Sequence, residues 1–584
     1  MKNILMQITI VGFSCLLSSW TMEGCTATTA EAQTGDTGES VFSYREIYLP
    51  ESTGDNAKKL GLNTLDHDWG LWGHNLGDIL PEKKSESIFA KRNGVTIHDQ
   101  FCFSSDRLYE YIEEYIDNKY DEDEQVRFAI LPNDNEIVCQ CSKCVEIGNT
   151  KRDASPAVFH LINRLAERFP GHRFFTSYYR TTRGLPETKL PENVGVLVSA
   201  MDYPLSPVET QKELDFIRVL QAWHQKTDRI FVWDYINNFD DYFTPYPVFD
   251  IMQRRLKIYA DNGVSAVFLN GSGTDYSSFS RLKAEVLAEM TKNPDIDWKE
   301  KLREKAKEYY PVTGDVIAEF LLAQEDFVKS RGKELPLYEG VSKALDTYLP
   351  REEFIKFHDE LRKLRPKTEG DERKYVDRLV GAMALTRLEL NRMNGNLGGS
   401  RELLEDLKQL EGYNTPVYSE ANWTIANYIR DYERMLEHMV SDGNKNILKG
   451  EKLMALTPLD EGYSDISILT DGMLGIPSNY HNGNLIMSPK NYTKIAIPPT
   501  EGLKKLRVCL IYNPAYRVAL PEEVILTASG GKEIGKVQPS YPADNSGHVF
   551  VDFNVPSNSG SLVVTLVKDP EVHSMAVDEI EGYK

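Results

Sequence analysis

Three cysteines within six residues, Cys139-x-Cys141-x-x-Cys144, form the sharpest chemical pattern in this 584-residue sequence. Thiols at that spacing begin a tetrahedral zinc site, and Cys102 can supply the fourth ligand. A set of four thiolates leaves no open coordination position, so an ion there is structural. In an oxidising compartment the same residues form disulfides instead, for example Cys102 with one of the three. No His or carboxylate cluster with ligand spacing lies nearby, so catalysis is expected to need no cofactor. No P-loop, Rossmann glycine fingerprint, HExxH or GxSxG motif is present either.

The carboxylates offer a second chemistry. Asp134 follows an apolar run, Phe128-Ala129-Ile130-Leu131, and closes a strand. Low local dielectric favours the protonated form of such a group, which suits a general acid. Asp234 and Asp202 compete as its partner. Hydrolysis of a glycosidic bond uses two carboxyl groups, one to protonate the leaving oxygen and one to attack or activate water. Around them stand Arg45, Trp72, His74, Tyr178, Trp233, Tyr235 and Asn270. Aromatic rings stack on the C–H faces of sugars, and the polar groups bond to hydroxyls, so these are the candidate substrate-binding residues. Helix and turn capping by Asp, and core packing by Trp, are the competing readings.

These residues need a frame. From 40 to 296 the chain alternates short apolar runs with amphipathic helical patterns, the mark of βα units on a parallel sheet. Eight strands are expected: Val41–Tyr48, Thr64–Leu71, Val95–Phe103, Arg127–Leu131, Arg173–Tyr179, Val194–Ala200, Arg229–Tyr235 and Ser265–Asn270. That number fits a (β/α)8 TIM-type barrel, whose active site lies at the C-terminal ends of the strands. Val158, Leu161, Ile162 and Leu165 stripe one intervening helix, which is expected to open at Ser155-Pro156. Phe216, Leu220 and Trp223 stripe a second, and Val248, Met252, Leu256 and Tyr259 a third. Residues 297–450 read as an all-α helical domain to which no chemistry is assigned. Residues 456–584 switch to period two and predict a β-sandwich of jelly-roll type. There, Leu469–Gly472 and Asp578–Ile580 could bring acidic residues together around calcium.

A net charge of −21 argues against a nucleic-acid partner and suits a neutral ligand such as a glycan. Met1-Lys2 and the apolar run Ile4–Leu17 read as a signal peptide within an export segment, residues 1–32. Cleavage is expected after Ala30-Glu31-Ala32 or before Cys25, which would then carry a lipid anchor. Export to the periplasm or the outer-membrane surface follows from either.

Tyr44-Arg45-Glu46-Ile47-Tyr48, Trp69-Gly70-Leu71-Trp72-Gly73-His74, Pro132-Asn133-Asp134 with the cysteine triplet, and Val232-Trp233-Asp234-Tyr235 together resemble the domain of unknown function 4838 family. That family is common in gut Bacteroidetes. It is itself similar to the hexosaminidase (family 20) and α-glucuronidase (family 67) barrels, which implies a glycan-active barrel. In the hexosaminidases the acid follows strand four, the position Asp134 matches. Their Asp-Glu pair is replaced by Asp134-Asn135-Glu136, so a substrate-assisted mechanism is not implied. The last strand ends Phe268-Leu269-Asn270-Gly271, without the acidic residue of related barrels. The usual N-terminal accessory domain is expected to be missing, and the tail resembles a discoidin, galactose-binding-like module.

Overall fold

Strict alternation of inward and outward side chains organises the first half of the protein. The structure, a computed structural model, describes residues 40–584 except 122–123, 443–444, 461, 483–484, 489–490, 529, 543–545, 558 and 570–573. The export segment, with Cys15 and Cys25, lies outside the described residues. Among the described residues nine strands precede residue 271: β1 Tyr44–Tyr48, β2 Trp69–Leu71, β3 Phe89–Arg92, β4 Val95–Phe101, β5 Arg127–Ala129, β6 Arg173–Tyr178, β7 Val194–Ser199, β8 Ile230–Tyr235 and β9 Val264–Asn270. Seven of them form one parallel sheet in the order β1-β9-β8-β7-β6-β5-β2.

The sheet curls until its two edges face each other without pairing. Asn63 fills the gap: its N–H donates to the Arg45 carbonyl at 2.8 Å, and its side-chain oxygen accepts from the Arg45 N–H at 3.0 Å. The Trp69 indole N–H donates to the Tyr44 hydroxyl at 3.0 Å across the same gap. The result is a curled half-barrel of seven strands rather than the closed eight-stranded ring expected. The expected third strand, at Val95–Phe103, pairs instead with β3 in an antiparallel hairpin outside the sheet. Asn93 and Gly94 turn that hairpin with φ of 53° and 81°. An Asn-Gly pair between two runs is a hairpin signal. Val95, His98 and Asp99 are exposed, whereas a strand within a parallel sheet is buried on both faces.

Tyr44, Trp69, Ala129, Leu131, Phe175, Leu197, Phe231, Ala266 and Phe268 fill the interior of the curl. Each fully buried large side chain contributes about 1.5–3 kcal/mol. The outward residues pack on helices with the expected stripes, including Ser155–Arg168, Gln211–His224 and Phe249–Asp261. The first of these is not capped by Ser155. Asp153 Oδ1 accepts the Ser155 N–H at 2.9 Å, while Ser155 Oγ accepts the Gly184 N–H.

Seven α-helices follow between Trp298 and Asp442 among the described residues. Antiparallel sheets then build the C-terminal region around a core that includes Leu506, Val508, Leu510, Val551, Phe553, Val564 and Ile580. Val551 and Phe553 are buried there while Phe550 and Asp552 face solvent, as period two requires. Among the described residues no helix is long and apolar enough to cross a membrane.

Candidate active site

Parity decides what reaches the C-terminal rim of the curl. On β8, Phe231 and Trp233 turn inward with Tyr235, and Val232 and Asp234 turn outward toward the helices. On β6, Phe175 is inward, and the alternation continues through Ser177 to Tyr179. Gly73 adopts φ of 63°, which a side chain resists, and so swings Trp72 back over the interior. Trp72 and Trp233 stack with ring centroids 4.9 Å apart and planes at 20°. Both are half-buried and rest on Phe268, at 4.9 Å and 5.1 Å. They form an aromatic floor beneath the rim.

One wall of the rim carries Asp134. The loop Pro132–Asn135 is fixed to β4 by Gln100. The Gln100 Oε1 accepts the Asn133 N–H at 3.0 Å, and its Nε2 donates to the Asn133 carbonyl at 3.1 Å and to Asn135 Oδ1 at 3.0 Å. Arg180, itself in the left-handed region at φ of 42°, lies 2.6 Å from Asp134 Oδ1. The contact is an ion pair more than a directed hydrogen bond, because the Arg180 Nε–H points at the Tyr179 hydroxyl, 2.9 Å away. Glu136 Oε1 lies 3.3 Å from the same guanidinium. His74 is held at the Pro132 carbonyl by Nδ1, at 2.5 Å, and its ring faces Tyr179 at 5.8 Å.

The opposite wall comes from the loop after β8 and from the helical region. The Phe239 N–H donates to the Leu337 carbonyl at 2.7 Å, and the Glu420 N–H donates to the Phe239 carbonyl at 2.8 Å. Asp240 Oδ2 accepts the Glu339 N–H at 2.7 Å, and Asn238 Nδ2 donates to the Glu339 carbonyl at 2.8 Å. Those bonds offset the cost of Glu339 at φ of 87°, about 1–3 kcal/mol for a strained non-glycine residue. The Tyr338 hydroxyl points at Glu420 Oε2 from 3.5 Å. Glu420 keeps solvent access, yet partial burial, then the charge of Asp240 and, more weakly, that of Asp134, push its carboxyl above the usual carboxylate range. Burial likewise raises Glu339. Asp134 after β5 and Glu420 from the helical region thus bring carboxyls from two separate parts of the chain toward the rim, and Glu420 is held toward its protonated form.

Several expected site residues lie elsewhere. Asp234 is fully buried between β8 and the helix Phe249–Asp261, 2.5 Å from Arg255 Nη1 and 2.5 Å from the Tyr259 hydroxyl. It holds the outer layer together and does not reach the rim. Arg45 also turns outward, donating to the carbonyls of Ala288 and Gly61. Tyr178 packs on the outer layer, one residue out of phase with the rim. Asp202 is exposed and paired with Arg183. Trp72, His74, Trp233 and Tyr235 are at the rim with Asp134, and Asn270 closes β9 in register with Tyr235. Sequence reasoning placed Tyr179 and Arg180 at the end of their strand but missed Asp240, Tyr338 and Glu420 near the rim. Asp240 carried a signal, five residues past the inward Tyr235. Glu420 carried none, since it sits in a short loop between charge-rich helices.

The four cysteines converge. Cys102, Cys139, Cys141 and Cys144 place their sulfurs within 4.8 Å of one another, and all are free thiols. Among the described residues this is the only set of three or more His, Cys, Asp or Glu side chains gathered tightly enough to share an ion. In the C-terminal sheets the acidic residues do approach one another. The Gly472 N–H donates to both Glu579 oxygens at 3.2 and 3.3 Å, while Asp578 Oδ2 accepts from the Gly475 N–H at 2.9 Å and meets His548 Nε2 at 2.7 Å. Burial, then the charges of Asp471 and Asp578, push Glu579 up to about 10.

No curated protein matches the chain. Similar solved structures include a family GH115 4-O-methyl-α-glucuronidase with specificity for decorated arabinogalactans, at 13% identity and a TM-score of 0.36, over 82% of this chain and 67% of that one. A GH138 enzyme targeting pectin rhamnogalacturonan II is 10% identical over 82% of this chain and 76% of that one, with a TM-score of 0.25. A Streptococcus pneumoniae fucose binding module is 20% identical over 24% of this chain and 96% of its own length, with a TM-score of 0.19. The sequence model described as Domain of unknown function (DUF4838) matches residues 30–321, which include every strand of the curled sheet. The chain belongs to that family.

Proposed function

We propose that this chain is an exported glycoside hydrolase that cleaves its substrate in the trough between Asp134 and Glu420. One observation carries the reading: the bond from the Glu420 N–H to the Phe239 carbonyl, 2.8 Å, brings a second carboxyl toward the β8 end of the rim that bears Asp134 and the Trp72–Trp233 stack, where burial, then the charges of Asp240 and Asp134, raise its proton affinity. Glu420 is the general acid, which holds a proton at neutral pH more readily than an ordinary carboxyl and gives it to the leaving oxygen. Asp134, 2.6 Å from Arg180 Nε, takes the other role and faces the anomeric carbon as nucleophile or as base toward water. Arg180 and the Gln100 grip fix its orientation. The exposed parts of Trp72, Trp233, Tyr179 and Tyr338 take the apolar faces of the sugar, and His74 and Asn270 its hydroxyls. The run Ile4–Leu17 supports the export half of the proposal, with Cys25 as the site of a lipid anchor.

The test is release of reducing sugar from a panel of polysaccharides and aryl glycosides by the wild-type chain and by Glu420→Gln and Asp134→Asn. Product from wild type and its loss in both variants supports the assignment. Calorimetric binding of a glycan with no product from any panel member replaces it with a non-catalytic, glycan-binding surface lipoprotein.

A further inference from the structure

Four sulfurs rarely meet inside a protein without a reason. Cys102 leaves the end of β4, Cys139 follows the Asp134 loop, Cys141 caps the short helix Ser142–Ile147, and Cys144 lies in its first turn. Cys102 Sγ is 3.7 Å from both Cys141 Sγ and Cys144 Sγ. Thiolates about 2.3 Å from a tetrahedral ion stand about 3.8 Å apart, whereas a disulfide draws two sulfurs to about 2.05 Å. The observed separations suit the first arrangement. The surroundings suit it too. Backbone N–H groups are aimed at two of the sulfurs, Lys91 at Cys139 from 3.3 Å and Cys144 at Cys141 from 3.4 Å. Such bonds stabilise charged sulfur. Cys102, Cys139 and Cys144 are buried in the same apolar cluster as Phe103, Val138, Ile88 and Ala90.

We infer that Cys102, Cys139, Cys141 and Cys144 bind one zinc ion, each thiol giving up its proton to become a thiolate ligand. Sulfur-only, tetrahedral and largely buried, the site has no position for substrate, so the ion is a staple. It joins the β3–β4 hairpin to the loop after β5, alongside the bond from the Gln140 N–H to the Lys91 carbonyl at 2.7 Å. That joint lies five residues from Asp134. Only the consequence for catalysis rests on the hydrolase reading; the zinc content does not.

The experiment uses the whole chain, incubated with zinc sulfate, dialysed, and analysed by elemental mass spectrometry, native mass spectrometry and thiol titration. The expected result is one zinc per chain, with the four thiols reacting only after denaturation with chelator, and a lower melting temperature once zinc is stripped. Replacement by cobalt(II) gives the visible bands of tetrahedral thiolate coordination. Cys141→Ser lowers zinc occupancy, and because wild type alone carries the stoichiometry, the test survives if that variant fails to fold. A chain without metal and with these cysteines oxidised to disulfides overturns the inference. So does a chain with four reactive thiols and no zinc, or one that carries iron instead.

Discussion

Gln100 grips the backbone of Asn133 at both ends, accepting its N–H at 3.0 Å and donating to its carbonyl at 3.1 Å. A strand outside the curled sheet thereby fixes the residue next to Asp134. Gln100→Ala removes the partner of the part-buried Asn133 N–H, at up to about 1–3 kcal/mol, while the Asn133 carbonyl keeps the Asn135 N–H at 2.7 Å. The expected outcome is a kcat about tenfold lower with KM little changed, together with a lower Tm. Steady-state kinetics and thermal unfolding separate the two, and an unchanged kcat would make the grip purely structural.

Glu420→Gln is expected to lower kcat about 10²–10⁴-fold. The pH profile adds a sign. An acid must be protonated to work, so activity falls as pH rises through the raised proton affinity of Glu420, and that alkaline limb lies above the ordinary carboxylate range. Asp240→Asn removes the largest neighbouring charge and moves the limb to lower pH. A profile of kcat against pH for wild type and D240N checks this, and an unmoved limb would exclude Glu420 as the titrating acid.

Much of this frame was legible in the sequence. Seven of the eight expected strands stand in the sheet, because runs such as Phe231–Tyr235 are too apolar to be anything but buried. The alternation within them also determines which residues reach the rim, yet Asp234 and Tyr178 were placed on the wrong face. Parity needs one anchored inward residue, and only the packing of Phe231 and Phe175 supplies it. The Asn93-Gly94 turn is a hairpin signal present in the sequence that counting eight strands passes over. Glu420 was not readable: its approach depends on the backbone bond to Phe239, a contact across 181 residues that no local pattern encodes.

Asp234 answers to a different test. Removing one partner of a buried ion pair costs about 3–5 kcal/mol. Asp234→Asn is therefore expected to lower the urea midpoint strongly, while the fraction that folds keeps its KM. Equilibrium denaturation with fluorescence detection measures this. Full stability with lost kcat would return Asp234 to the catalytic list.

Glu579 makes stability depend on pH. Its folded-state pKa of about 10 exceeds the ordinary 4.5, so the folded chain holds this proton more tightly than the unfolded one. The contribution is complete below pH 4.5 and is lost as pH rises toward 10. Glu579→Gln is expected to flatten that slope and to raise Tm relative to wild type at pH about 9, by differential scanning fluorimetry. Calcium, which the sequence suggests for the same acidic group, acts oppositely: an ion there displaces the proton, raises Tm and removes the slope.

The loop that bears Glu420 has a consequence for how the molecule comes into being. Chains are synthesised from the N-terminus, and domains fold as they emerge. The sheet, its aromatic floor and Asp134 are complete once residue 270 has been made, but the proposed acid follows 150 residues later and reaches its place only by docking onto Phe239. Under the proposed function, a nascent or truncated chain therefore holds half a catalyst. On that reading competence arrives late and all at once, when the helical region docks at Phe239, so the same docking that finishes folding would also switch the chemistry on.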